Sequence, residues 1–219
     1  MNESDKRVAA MAAIEEVRPG MIVGLGTGST TAFAITALGE RRLDIRAVAT
    51  STASTALARA AGIRLIDLSA QIDLTIDGAD EIDPTLAAIK GAGGAMLREK
   101  IVAAASARMI VIADGSKRVD AIGSAAIPVE VLPFGIAFVS ARLADLGARP
   151  AVRNDFVTDQ GNAIIDCVFP ATIDHMRLAK NIAAIPGTLG HGLFLTEVSA
   201  AYIAERGVVT RLERRAAPD

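Results

Sequence analysis

Apolar residues along this chain fall into short runs of strand length, separated by longer stretches in which they recur at helical spacing. Residues 21–23, 45–49, 63–66, 72–76 and 109–113 form the runs. Their Val, Ile and Ala content predicts strands buried within a sheet. Ser4 can cap a helix carrying Val8, Met11, Ala12 and Val17, which Arg18-Pro19-Gly20 stops. Further helices are expected to end near Gly39 and at Gly62, and another to span about residues 95–105. Strand and helix alternate with short connections, so the expected class is α/β, a doubly wound and mostly parallel sheet covered on both faces.

The rhythm changes after Pro128. Residues 129–132, 149–153, 163–169 and 191–195 read as strands and 134–146 and 173–184 as helices, with turn chemistry at Asp159-Gln160-Gly161-Asn162. The order β-α-β-β-α-β predicts a second, smaller α+β unit of ferredoxin-like type. Residues 200–204 and 208–212, around Arg206-Gly207, predict a hairpin that returns to the first unit. The expected division is 1–127 with 199–219 as one unit and 128–198 as the other.

Composition narrows the functional classes. At 219 residues the chain can bury a full core, and although it is 51% hydrophobic, no uninterrupted apolar run approaches the roughly 20 residues of a membrane span. Its 23 Lys and Arg are balanced by 25 Asp and Glu, so no charge excess suggests nucleic acid or an acidic membrane surface. Any anion must be caught locally. The lone Cys167 excludes an intrachain disulfide and reads as a small buried residue. The N-terminus, Asn2-Glu3-Ser4-Asp5-Lys6, lacks a basic-then-apolar signal segment, and the expected compartment is the cytoplasm.

Four motifs carry candidate chemistry. Gly24-Leu25-Gly26-Thr27-Gly28-Ser29-Thr30 lies after a strand and at the mouth of a helix, where glycines, backbone N–H groups and hydroxyls can cradle a phosphate. A tight turn with Thr30 or Thr31 capping the helix is the plainer alternative. A dinucleotide fingerprint would need glycine at Ser29 and an acidic residue after the second strand, where Ala49-Thr50-Ser51 stands instead, and no P-loop lysine is present. Asp77-Gly78-Ala79-Asp80-Glu81 follows a strand, where ligands gather in α/β sheets, unless it is a solvated turn. Lys90-Gly91-Ala92-Gly93-Gly94 can close on an anion. Glu99, expected near the second turn of the following helix, is a general-base candidate or a solvated glutamate flanked by Arg98 and Lys100. Asp114-Gly115-Ser116-Lys117 offers a second lysine at the same sheet edge. His175 and His191 lie far from these carboxylates, so no metal site is expected, and both histidines read as surface or loop residues.

Taken in register, these motifs, with Leu97-Arg98-Glu99-Lys100, Pro128-Val129-Glu130-Val131, Leu146-Gly147-Ala148-Arg149-Pro150 and Asp159-Gln160-Gly161-Asn162, resemble ribose-5-phosphate isomerase type A. The resemblance weakens after Leu195, Thr196-Glu197-Val198 is atypical, and Ala92 interrupts a usually unbroken glycine run. It implies an aldose–ketose isomerase that interconverts ribose 5-phosphate and ribulose 5-phosphate with no metal and no organic cofactor. By the resemblance, Glu99 is the base that moves a proton between C2 and C1 through an enediolate. Asp77, Asp80 and Lys90 assist ring opening and hold the reactive oxygens. Thr27, Gly28, Ser29, Thr30 and Lys117 line the sugar-phosphate site, together with Gly78, Ala79, Gly91, Ala92 and Gly93. The resemblance also implies a homodimer or homotetramer. Two other classes share the broad fold: CoA transferases, in which a glutamate attacks a thioester, and sugar-phosphate sensor domains of transcription regulators.

Overall fold

The computed structural model describes residues 3–68, 71–170 and 173–214. Met1, Asn2 and residues 215–219, on which part of the N-terminal reading and the end of the first unit rest, lie outside the described residues.

The chain opens with α1 (Glu3–Ile14), β1 (Ile22–Leu25), α2 (Ser29–Arg41), β2 (Arg46–Ala49), α3 (Thr52–Ala60), β3 (Arg64–Leu65) and β4 (Leu74–Asp77). Two short strands, β5 (Glu81–Ile82) and β6 (Ala88–Ile89), precede α4 (Met96–Ala104) and β7 (Met109–Asp114). There follow β8 (Ile127–Val131), α5 (Ile136–Asp145), β9 (Arg149–Val152), β10 (Ala163–Val168), α6 (His175–Ala183) and β11 (Thr188–His191). The last strands are β12 (Leu193–Phe194), β13 (Ala200–Glu205) and β14 (Val208–Glu213).

The main sheet runs β14-β13-β7-β4-β1-β2-β3, parallel throughout except for the antiparallel edge strand β14. Both faces are covered, and the two cores divide each strand by its two-residue period. Ile110 and Ile112 of β7 join Leu74 and Ile76 of β4 in the cluster under α1 and α2, whereas Met109 and Val111 join Met96 and Ala103 of α4. A second sheet, antiparallel in the order β11-β8-β10-β9, carries α5 and α6 and has the ferredoxin-like β-α-β-β-α-β order. The molecule is thus α/β with a smaller α+β part. No helix among the described residues is long and apolar enough to cross a membrane.

Several expectations need correction. Ser4 lies inside α1, and that helix buries Ala9, Ala10, Ala13 and Ile14 while Met11 is exposed, because small side chains let it pack closely on α2. Gly28, at φ 115°, is the N-cap of α2, so neither Thr30 nor Thr31 caps it. The strand expected over 191–195 divides: Thr188–His191 closes the ferredoxin-like sheet, and Leu193–Phe194 leaves it to pair with β6 in a third sheet, β12-β6-β5. His191 is buried in β11. Burial, then the Lys100 charge, brings its imidazole down to about 4, and its Nδ1 accepts the Leu193 N–H. Cys167 is buried on β10, and burial pushes its thiol up to about 12.

Candidate active site

The two-residue period of β4 decides where Asp77 goes. Leu74 and Ile76 face α1 and α2, so Thr75 and Asp77 face α4. On α4 the buried residues are Met96, Glu99, Val102 and Ala103, an inward stripe at helical spacing, so Glu99 faces the protein while its neighbours Arg98 and Lys100 are half-buried. Glu99 therefore stands in the first turn of a buried helix face and is no solvated residue. Between the two carboxylates comes Lys90, the residue after β6, with its backbone N–H donating to the Gly192 carbonyl. Its ammonium lies 2.9 Å from Asp77 Oδ2 and 3.0 Å from Glu99 Oε2, and donates to the Gly78 carbonyl at 2.6 Å. Asp77 Oδ1 accepts the backbone N–H groups of Gly78 at 2.7 Å and Thr27 at 3.1 Å.

All three charged groups are almost sealed from water, with Asp77 0%, Lys90 2% and Glu99 4% exposed. One cation faces two anions, and their proton affinities separate accordingly. Burial would lower that of Lys90, but Asp77 and Glu99 outweigh it and hold the ammonium above the ordinary lysine value. Burial raises both carboxyls. Asp77 has Lys90 and two N–H donors to sustain its charge. Glu99 has Lys90 alone among the described residues, and burial followed by the neighbouring Asp77 charge pushes it up to about 8. The Phe194 ring closes the far side, 5.4 Å from the Lys90 ammonium and 3.9 Å from that of Lys100.

Above this triad opens a cavity of about 230 Å³ lined by Glu99, Lys90, Asp80, Thr27 and the loops 28–30, 78–80 and 91–93. Lys117 and Lys6 line it as well. The expected site residues Thr27, Gly28, Ser29, Thr30, Gly78, Ala79, Asp80, Lys90, Gly91, Ala92, Gly93, Glu99 and Lys117 all line this one space, and Asp77 lies buried beneath it. Glu81 does not: it is buried on β5 and accepts the N–H groups of Gly123 and Ala125. Ala92 fits its loop because the positive-φ positions are Gly91 and Gly94; its N–H donates to Asp80 Oδ2 at 2.9 Å. Lys6 was missed by the sequence reading. It is buried on α1, and its ammonium donates to Ser29 Oγ at 2.8 Å, beside the N-terminus of α2. Phe194 was missed too, since a lone aromatic in an apolar run reads as core. Among the described residues no group of three His, Cys, Asp or Glu side chains is arranged to hold a metal ion.

A buried carboxylate of raised proton affinity, a fixed cation beside it and an anion-ready helix terminus facing the same small cavity are the equipment of an enzyme that moves protons on a small phosphorylated substrate. Residues 46–207 match the family model of ribose 5-phosphate isomerase A (phosphoriboisomerase A). The chain is 51% identical to ribose-5-phosphate isomerase A of Sphingopyxis alaskensis, over 97% of this chain and 96% of that protein. It superposes on the crystal structure of ribose 5-phosphate isomerase A from Neisseria gonorrhoeae with a TM-score of 0.95 and 34% identity, covering 99% of each chain. A solved D-ribose-5-phosphate isomerase in complex with phospho-erythronic acid matches with a TM-score of 0.94 and 36% identity, over 98% of this chain and 100% of that one. The chain belongs to the ribose 5-phosphate isomerase A family, and its activity is the interconversion of ribose 5-phosphate and ribulose 5-phosphate.

Proposed function

We propose that Glu99 performs this isomerisation as the base that carries a proton between C2 and C1 of the open-chain sugar. The observation that carries the reading is the Lys90 ammonium, 3.0 Å from Glu99 and 2.9 Å from Asp77 at the floor of the cavity. In the forward direction the Glu99 carboxylate takes the C2 proton, and the electron pair flows through C1 to the carbonyl oxygen, giving an enediolate. Lys90 offsets the oxyanion that develops, which is what makes a proton next to a carbonyl removable. Glu99 returns the proton to C1 as the O2 proton passes to the O1 oxyanion, so that the C2 carbonyl forms and C1 is left carrying a hydroxyl. Asp77 holds Lys90 in place, and Asp80, fixed by the Ala92 N–H, faces the same space and serves ring opening and the sugar hydroxyls. The phosphate is assigned to the N-terminus of α2, with Ser29, Thr30, Lys6 and Lys117 around it. The phosphorylated acid carried by the solved relative is consistent with an anion at this place.

The same reading takes residues 1–127 with 199–219 as the catalytic unit, 128–198 as the ferredoxin-like unit, and the cytoplasm as the compartment. It also takes the working form as two or four copies. Leu132, Phe134 and Phe138 support that assembly, being large, apolar and exposed around the start of α5; sedimentation of the purified protein tests it.

The deciding experiment measures turnover and substrate-hydrogen exchange with solvent in wild type, Glu99→Gln and Lys117→Ala. Glu99→Gln is expected to lose roughly 10²–10⁴-fold in kcat and to abolish exchange while still binding the sugar phosphate. Lys117→Ala is expected to raise KM about tenfold or more with a smaller change in kcat. Exchange at the wild-type rate in Glu99→Gln refutes the base assignment.

A further inference from the structure

We propose that Arg153, on the segment between β9 and β10 of the ferredoxin-like sheet, is a positioning residue for the reaction: it fixes the Lys90–Gly94 loop from behind. The proposal rests on the assignment of that loop to catalysis. One guanidinium N–H donates to the Ala92 carbonyl at 3.1 Å and reaches the Gly91 carbonyl at 3.5 Å. The remaining donors are fixed by Asp166 of β10 in a bidentate pair, Nε to Oδ2 at 2.9 Å and the other terminal nitrogen to Oδ1 at 2.6 Å. Such a fork leaves the guanidinium little freedom to turn. The same guanidinium lies 5.2 Å from the Phe156 ring centre, and that ring packs so closely on Gly94 that a Cβ there would come within 2.2 Å of Phe156 Cζ.

The consequence falls on the side of the loop that faces substrate. Ala92 gives its carbonyl to Arg153 and its N–H to Asp80, so the loop is gripped from the ferredoxin-like sheet on one side and by the acidic loop on the other. In a trans peptide the N–H lies opposite the carbonyl, and no cis bond is present among the described residues. The Gly93 N–H is therefore directed away from Arg153, and Gly93 itself lines the cavity opposite Thr27. Lys90 lies two residues before Ala92, with only Gly91 between them. Arg153 touches none of the reacting atoms; it sets the distance between the Lys90 ammonium and the substrate oxygen through the backbone.

Arg153→Ala, Arg153→Lys and Asp166→Asn test this, measured for kcat and KM and for amide hydrogen exchange by segment. Arg153→Ala is expected to lower kcat about 10–100-fold, with KM moving much less, because small misplacements of catalytic groups carry costs of that order. Arg153→Lys is expected not to restore it, since a lysine cannot hold the Asp166 fork and the carbonyl together. Asp166→Asn falls between. Exchange rises over residues 90–96 and stays at the wild-type level in β8 and β10. Wild-type kcat in either Arg153 variant overturns the proposal, as does a fall in kcat accompanied by faster exchange throughout the four-stranded sheet, which marks a purely structural role. Full activity in a parallel Glu99→Gln sample would instead refute the base assignment on which the loop's catalytic role rests.

Discussion

As the proposed base, Glu99 couples chemistry to stability through its proton. Its carboxyl is pushed up to about 8 in the folded protein from 4.5 in its ordinary state, by burial and then by Asp77. The folded protein therefore holds a proton that the unfolded chain releases across that interval. The stabilisation is fully present below the lower value and is lost as pH rises through the upper one, at about 1.4 kcal/mol per pH unit inside the window. A glutamine has no such proton, so the stability of wild type relative to Glu99→Gln is expected to fall with pH across the window, read from denaturant midpoints of both proteins. Parallel pH curves would show that Glu99 titrates as an ordinary carboxylate. The same displacement is expected to put the acid limb of kcat/KM near pH 8, well above 4.5, in the free enzyme. At this scale the sequence carried the types of the proposed reacting groups but not their states. Asp77, Lys90 and Glu99 were legible as candidates from their motifs. Which carboxylate keeps its charge depends on the Gly78 and Thr27 N–H donors reaching Asp77, and those contacts exist only once β1 and β4 lie side by side.

The turn from β1 into α2 works as an element because two of its glycines have no room for anything else. A Cβ on Gly26 would fall 1.9 Å from Asp77 Oδ1, and one on Gly24 1.9 Å from Thr75 Oγ1. In the sequence these glycines read as part of a candidate phosphate cradle; the structure shows a steric constraint, since Gly26 leaves space for the carboxylate that pairs with Lys90. Gly26→Ala is expected to destabilise the fold by roughly 1–3 kcal/mol through overpacking and, by displacing Asp77, to reduce kcat as well. Retained kcat with only a lowered Tm would mean that Asp77 shifts without disturbing Lys90. The turn is further tied to α3: Thr27 Oγ1 lies 2.9 Å from Thr50 Oγ1 and 2.8 Å from Ser51 Oγ, and Ser51 caps α3 through the Ser54 N–H. The buried parallel strands were legible because they are apolar on both faces. The two-residue strands β5, β6 and β12 were not, because a pair of residues has no period to detect; their pairing is dictated by which chain segments the larger sheets bring within reach.

Across the whole molecule, that small third sheet ties the loop of the proposed oxyanion-stabilising Lys90 to both larger sheets. Strand β6 leads directly into Lys90 and comes from the part that builds the parallel sheet. Strand β12 continues from β11 of the ferredoxin-like sheet and brings Phe194 against the Lys90 and Lys100 ammonium groups. Lys100 in turn pairs with Glu197 at 2.9 Å, so the stretch after Leu195 anchors on α4 beside the proposed base. The joint closes at Gly192, whose carbonyl accepts the Lys90 N–H at 2.9 Å and whose N–H donates to the Pro128 carbonyl at 2.8 Å. A Cβ at Gly192 would stand 2.1 Å from the Lys90 carbonyl oxygen and 2.6 Å from Pro128 Cδ. Neither the backbone nor a proline ring can give way cheaply, so Gly192→Ala must part β12 from β6 or shift Lys90. It is expected to cost roughly 1–3 kcal/mol of stability and to reduce kcat at least tenfold in protein that remains folded. Gly147→Ala is the comparison, at φ 92° with no atom within 4 Å of the new Cβ. Backbone strain there costs about 1–2 kcal/mol, and the position is remote from the cavity, so kcat stays at the wild-type value. Equal loss of stability with unequal loss of kcat separates the joint's role in aligning Lys90 from its role in holding the fold; equal kcat in the two variants would mean that the Lys90 ammonium keeps its place however the sheets are joined.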